Sequence, residues 1–431
     1  MVNKEIYEKL QNYINRTLDC IKSDYEKNEI NYIYYADILH LSTIAYKTYE
    51  DKEKWEEIGY EMCCKIKDYT ENYYVHKNNV SILAGFGYMC YAVELYSQNT
   101  GRLKGFSKSM HTLLMKETKF RAETFQKNYE YTKMDNYDCV SGISGVLYHL
   151  LDYRSDDELY KETIDQAIEY LVKLASTHNY KNEMIYNFHI QSQQQFNDEE
   201  KVLYPNGNFN FGMAHGMIAP LVALSKAYSY GYKNKNLETA INTILKFYND
   251  FRVIKNGISY WPGQLSFEEY KNNKVEKDNI HYACSWCYGN IGILRGLMLT
   301  AQNMGLKDLS EFYKSELIKV LELPLEQFYV VSPALCHGYS SVLAAKICLM
   351  NQSDRQSMEC GIDKIIDEII SLSEYNTDQV HKDMSLIENE EGILEGYIGQ
   401  YSLLSGVTGI ILVFLDLLYG ANDYKKILML I

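Results

Sequence analysis

Apolar residues recur every three or four positions along most of the 431-residue chain. One-sided stripes of this kind predict amphipathic helices, because positions three and four apart share a helix face. Five prolines in the whole chain suit a mostly helical protein. The clearest stripes are Ile164, Ile168, Leu171 and Ala175; Leu237, Ile241, Ile244 and Tyr248; and Ile362, Ile366 and Ile369.

One segment follows a different period. In 184–191, Tyr186, Phe188 and Ile190 alternate with polar residues, a pattern typical of a β-strand. A stretch rich in Gln and Asn continues to about residue 208. We therefore predict a small β-containing insertion at approximately 180–210, in a chain that no low-complexity linker divides.

A motif of small residues, G-x-x-[GAS], recurs six times, each time followed by an apolar helical segment. Its copies are separated by 49 to 74 residues, enough for two helices and their loops. Small residues three apart on one helix face would let neighbouring backbones come close, and repeats that pack on their neighbours form a solenoid or a closed ring. We predict an all-α fold, an α/α toroid of one domain over 1–431, whose inner helices carry the motif. The copies begin at Ala84, which is degenerate, and at Gly142, Gly216, Gly289, Gly338 and Gly406.

Side chains suited to metal binding or proton transfer precede several of these glycines by one to four positions. They are Asp138, His215, Cys287, Cys336 and His337. Taken singly, each is more simply a packed cysteine or a hydrogen-bonded polar residue. Their shared register favours a joint site, since equivalent positions of stacked repeats lie at the same end of the barrel.

Two thiolates and one imidazole are a typical zinc ligand set, and three protein ligands leave the fourth position open, as in catalytic sites. Cys287, Cys336 and His337 therefore predict a catalytic site with one Zn²⁺ per chain. A redox pair of Cys284 and Cys287 is the alternative. It lacks a thioredoxin-like βαβ context and would leave Cys336 and His337 unexplained.

The composition argues against some classes of binding partner and against insertion into a membrane. The chain has 57 acidic and 43 basic residues, a formal net charge of −14, and only 7 arginines. This balance argues against nucleic-acid binding, which needs a basic surface. The charged first residues lack the apolar core of a secretory signal, and the most apolar run, 409–419, is too short to span a bilayer. We expect a cytoplasmic protein without direct membrane insertion.

The motifs W-C-Y-G at 286–289, C-H-G at 336–338 and A-H-G at 214–216, with the repeated G-x-x-G, resemble the lanthionine synthetase C-like family, the cyclases of lantibiotic biosynthesis. The resemblance runs from about residue 80 to 420. It implies an α/α toroid, often with a small β insertion, and zinc held by Cys287, Cys336 and His337. It also implies essential roles for the residues that match His215 and Asp138. The sequence departs from the family at Ala283, where an arginine is common.

The resemblance implies a reaction. A peptide cysteine thiol would add to dehydroalanine or dehydrobutyrine in a dehydrated precursor peptide with its leader, forming lanthionine or methyllanthionine thioether rings. His215 is the expected acid for the α-carbon, and Asp138 the expected partner of an active-site histidine. A dehydratase and an ABC-type transporter are the expected protein partners, which would attach the enzyme to the inner face of the membrane.

Two other functions stay open at this point. The first is a non-catalytic zinc- or thiol-binding scaffold of the same fold. The second is a zinc-dependent peptide thiol prenyltransferase, which would need a basic pocket for a diphosphate. Arg295 is the one arginine that follows the Cys287 motif closely, so the sequence gives this second alternative little support.

Overall fold

The computed structural model describes residues 3–73, 79–83, 85–350, 355–374 and 401–431. Ala84, the start of the degenerate repeat, lies outside them. The helices within the described residues are α1 Lys4–Glu26, α2 Tyr35–Thr48, α3 Lys52–Tyr73, α4 Phe86–Thr100, α5 Lys104–Lys127, α6 Met134–Tyr137, α7 Ile143–Tyr153, α8 Glu158–Leu174, α9 Asp198–Leu203, α10 Ile218–Ser229, α11 Lys235–Asp250, α12 Phe267–Asn272, α13 Asn290–Asn303, α14 Lys307–Leu321, α15 Tyr339–Met350, α16 Arg355–Glu359, α17 Ile362–Glu374, α18 Val407–Tyr419 and α19 Tyr424–Ile427.

Within the same residues the strands are short and form three small antiparallel sheets, β1–β2, β3–β6 and β4–β5–β7. They are β1 Thr177–Tyr180, β2 Glu183–Tyr186, β3 Asn208–Asn210, β4 Val253–Lys255, β5 Ile258–Pro262, β6 Gln264–Ser266 and β7 Ile280–His281. Helix therefore dominates the described part of the chain, as the apolar periodicity predicts.

Residue contacts divide the chain into two compact units. Unit 1 comprises Met1–Asn78, Tyr88–Met110 and Pro324–Tyr424, and unit 2 comprises Asn79–Gly87, His111–Leu323 and Lys425–Ile431. The single domain predicted for 1–431 and the limits of its insertion stay predictions.

In unit 2 the glycine-marked helices pack on one another in succession, α7 on α10 and α10 on α13. Each also packs on an amphipathic helix: α8, α11 and α14 respectively. The stripe predicted in α11 is fully buried, from Leu237 to Tyr248. In contrast, α10 and α13 are buried on nearly every side. The two kinds of helix thus follow the predicted division into inner and outer elements.

Unit 1 repeats this arrangement. Its glycine-marked helices α15 and α18 pack together, with α17 on α15 and α1 on α18. Helix α2 joins them, because it packs on α18 and on α3, and residues 36–45 are all buried. Helix α2 is an inner helix without a glycine motif, so the repeat in the sequence does not mark it.

The predicted strand is shorter than expected. Strand β2 ends at Tyr186, because the chain turns there: the backbone N–H of His189 donates to the Tyr186 carbonyl at 3.0 Å. Ile190 then forms only an isolated bridge with Asn208. The strands β4–β7 were not predicted, although they lead toward the Cys287 motif. None of the described helices combines the length and the apolarity needed to cross a membrane.

Candidate functional site

The four residues before the first glycine of each repeat form a turn, and we call these five segments the glycine turns. In three of them the N–H of the following glycine donates to the carbonyl of the turn's first residue, for example Gly216 to Gly212 at 2.7 Å. In the turn 138–141 the N–H of Gly142 donates instead to the side chain of Asp138. A helix begins one or two residues after the glycine. The glycine turns are 138–141, 212–215, 285–288, 334–337 and 402–405.

Backbone hydrogen bonds join successive glycine turns through their third residues. In unit 2, the N–H of Val140 donates to Ala214 at 3.4 Å and that of Ala214 to Cys287 at 3.0 Å. In unit 1, the N–H of Cys336 donates to Leu404 at 2.8 Å. Cys287 and Cys336 therefore occupy the same position of the repeat, and within unit 2 the three turns lie side by side.

The glycines of the motif are required by contacts within each turn as well as between repeats. A Cβ on Gly289 would lie 2.1 Å from the Ser285 nitrogen, and one on Gly292 would lie 2.0 Å from the Trp286 carbonyl oxygen and 3.0 Å from the Cβ of Met213 in the preceding turn. Close approach to a neighbouring repeat, the reason expected from the sequence, is therefore only part of the explanation. The tighter contact is with the backbone of the turn itself.

Asp138 and His215 lie in direct contact. The Oδ2 atom of Asp138 is 2.5 Å from Nδ1 of His215. The other carboxylate oxygen accepts hydrogen bonds from the backbone N–H groups of Ser141 at 2.7 Å and Gly142 at 2.8 Å. The Asp138 side chain is fully buried, whereas that of His215 is 29% exposed. The carboxylate is thus fixed by its own turn, and it fixes the orientation of the imidazole in the next.

The charge of Asp138 governs the protonation of His215. Burial alone lowers the pKa of the imidazole, but the hydrogen bond and the negative charge of Asp138 outweigh it, with smaller contributions from Cys287 and Asp135. The pKa of His215 is therefore raised above its usual value. A histidine of this kind holds a proton at neutral pH more readily than a free one and can act as an acid.

Cys287 occupies the glycine turn next to that of His215. Its side chain is half-buried, and its sulfur lies 3.6 Å from the Ser285 hydroxyl. The neighbouring Tyr288 packs its ring 6.2 Å from that of His215, and the amide of Asn210 donates to the Tyr288 hydroxyl at 3.0 Å. Cys287, His215 and Asp138 are thus presented from adjacent turns of one unit.

The alternative redox pair finds no support in this geometry. Cys284 is completely buried. Burial raises the pKa of the Cys284 thiol to about 12, so it is a poor nucleophile for thiol exchange.

Cys336 and His337 lie in the glycine turn of unit 1 that leads into α15. The Cys336 side chain is half-buried and His337 is exposed. Because Cys287 belongs to unit 2, the joint zinc site of these three residues stays a prediction.

Two residues beside the predicted site were missed in the sequence. Asn210 precedes the His215 turn by two positions and holds Tyr288, and Ser285 begins the Cys287 turn. The register of the repeat could have indicated Ser285, since it occupies the same turn position as Asp138. Asn210 acts across two loops, and no local signal marks it.

The chain belongs to the lanthionine synthetase C-like family, because the model of that family matches residues 35–430. Among known proteins it is similar to the nisin biosynthesis protein NisC of Lactococcus lactis subsp. lactis, with 27% identity over 303 residues. The matched segment covers 68% of this chain and 64% of that protein.

The fold is also found among solved structures. The structure of nisin cyclase matches with a TM-score of 0.81 and 20% identity, over 97% of this chain and 98% of that one. At this identity the match shows the fold alone. It confirms the predicted fold class, an all-α protein of the α/α toroid type with small sheets.

Proposed function

We propose that the protein is a zinc-dependent cyclase that forms lanthionine or methyllanthionine rings in a dehydrated precursor peptide. Membership of the family and the similarity to NisC support this activity. The observation that carries the proposal is the contact of Asp138 with His215 beside the turn that bears Cys287. It provides an oriented acid next to a thiolate ligand, which are the two groups that such an addition needs.

The residues proposed to hold the metal fit Zn²⁺ by their chemistry. Cys287 and Cys336 occupy the same position of their turns and are both half-buried, and His337 follows directly with an exposed imidazole. Two sulfurs and one nitrogen are a common zinc ligand set. When bound, zinc would supply an open coordination position at which a peptide thiol loses its proton.

His215 is proposed to deliver the proton that completes the addition. The substrate sulfur forms a bond to the β-carbon of the dehydro residue, and the electron pair of the double bond moves to the α-carbon and its carbonyl. Nδ1 of His215 is held by Asp138, so Nε2 is the atom that gives a proton to the α-carbon. The proton released by the thiol returns to His215 through solvent, and no atom is gained or lost overall.

Asp138 is proposed to keep His215 oriented and protonated. Its hydrogen bond fixes the tautomer in which Nδ1 carries a proton, and its charge stabilises the imidazolium. Because Asp138 is itself held by two backbone N–H groups, the pair is oriented before the substrate arrives.

The proposed protein partners are the precursor peptide with its leader, a dehydratase that prepares it and an ABC-type transporter. The prenyl-transfer alternative is weakened, since Arg295 is fully buried and donates to the Leu430 carbonyl at 2.7 Å, where it cannot reach a diphosphate. A non-catalytic scaffold would not need an oriented acid beside a half-buried thiol.

The test is to incubate the purified protein with a dehydrated precursor peptide and to count its free thiols by alkylation and mass spectrometry. We expect thiols to disappear without a change in peptide mass, because the addition is an isomerisation. Thiols that persist in the presence of zinc-loaded, folded protein would contradict the cyclase and favour the scaffold.

A further inference from the structure

Ser285 is placed unusually among the polar residues that begin glycine turns. Its hydroxyl oxygen lies 3.6 Å from the sulfur of Cys287, two residues further on, and the side chain is 1% exposed. A contact of this length is a hydrogen bond to sulfur. Since a metal-bound cysteine is a thiolate without a proton, the hydroxyl must then be the donor.

The equivalent residues of two other turns do something different. Asp138 accepts hydrogen bonds from the N–H groups of Ser141 and Gly142 in its own turn. Ser402 likewise accepts from the N–H groups of Leu404, at 3.2 Å, and Ser405, at 3.4 Å. The usual task of a polar first residue is thus to cap its turn, and the hydroxyl of Ser285 is directed to a side chain instead.

The backbone around Ser285 is firmly held. Its carbonyl accepts a hydrogen bond from the N–H of Gly292 at 3.2 Å, and the indole of the next residue, Trp286, donates to the Leu428 carbonyl at 2.9 Å. Both side chains are buried. The hydroxyl therefore meets the sulfur in a geometry that the turn imposes, which is what a preorganised ligand needs.

We propose that Ser285 is a positioning residue for the metal site: its hydroxyl donates to the Cys287 thiolate, orients that sulfur toward the ion and withdraws part of its charge. This inference rests on the zinc site of the proposed function. Hydrogen bonds to a ligating sulfur tune the electronic properties of metal–thiolate centres, and partners of this kind affect metal affinity by about 10–100-fold.

The experiment compares Ser285→Ala with Ser402→Ala, a matched control at the same position of a turn that carries no proposed ligand. Zinc affinity is measured on the full-length protein by competition with a chromophoric chelator. We expect Ser285→Ala to weaken zinc binding by about tenfold and Ser402→Ala to leave it unchanged. In the cobalt-substituted protein, Ser285→Ala should also shift the sulfur-to-cobalt charge-transfer band to lower energy, because the sulfur becomes richer in electrons.

The spectrum separates positioning from mere structural support. A Ser285→Ala protein that loses affinity but keeps the wild-type charge-transfer band overturns the inference, as does one with unchanged affinity and band. If wild-type protein binds no zinc, the proposed metal site fails as well. If it binds zinc and Ser285→Ala changes nothing, only the role of Ser285 fails.

Discussion

The glycine turns 212–215 and 285–288 have the same backbone arrangement, but their side chains have different chemistry. Both follow a short strand, both lead into an inner helix, and the N–H of Ala214 donates to the carbonyl of Cys287 between them. The first turn presents an imidazole held by Asp138, and the second presents a sulfur held by Ser285. The repeat thus provides a common frame, and two or three side chains in each turn decide what it does.

This comparison predicts which changes remove the metal and which remove only the acid. The largest effect is expected for Cys287→Ala, which should abolish both zinc binding and ring formation, because a three-ligand site loses one of its thiolates. Zinc content is measured on the purified protein and ring formation by thiol alkylation. Cys284→Ala is the matched control: three residues away and buried, it should keep both. Wild-type activity in the metal-free protein would remove zinc from the reaction.

His215→Ala should remove the acid presented by the turn 212–215 without removing the metal. We expect zinc to stay bound and the rate of cyclisation to fall by about 10²–10⁴-fold, the usual contribution of a general acid. The measurement is single-turnover ring formation at saturating peptide, with metal analysis of the same sample. If the variant cyclises at the wild-type rate, His215 is not the acid; if it loses zinc, the two turns are not chemically separate.

Asp138→Asn tests whether Asp138 controls the protonation of His215. The carboxylate raises the pKa of His215, so the wild-type rate should decline only when the pH rises through that raised value. Removing the charge lowers the pKa of His215, and the decline should begin at lower pH, with a rate at neutral pH reduced by about 10–100-fold. The test is the pH profile of cyclisation for both proteins. Superimposable profiles would show that Asp138 does not control this proton.

The difference between the two turns also explains which parts of the structure could be predicted from the sequence. The repeat and its register indicate the inner helices and the polar residues that face one end of them, because small residues at a fixed spacing leave a visible pattern. The same pattern fails for α2, an inner helix of unit 1 without the motif. It also fails for β4–β7, because these strands are only two to five residues long and carry no long alternation.

Contacts between side chains of different turns were harder to predict. The sequence indicates Asp138 and His215 separately, but their 2.5 Å contact depends on the backbone bonds that place one turn beside the next. Asn210 and Tyr288 are 78 residues apart and meet for the same reason. Register predicts which positions are equivalent, whereas packing decides which of them meet.

The smallest effect on chemistry, and a direct test of the common frame, is expected from Gly292→Ala. Its Cβ would lie 2.0 Å from the Trp286 carbonyl oxygen, so the backbone of the Cys287 turn must shift. We expect the free energy of unfolding to fall by about 1–3 kcal/mol, as for other substitutions that overpack a buried site. Chemical denaturation measures it, with Gly105→Ala as the control, since a Cβ at that helical position has no neighbour within 4 Å. Equal stability of the two variants would mean that the turn tolerates a side chain, and that the glycine of this repeat has a purpose other than close packing.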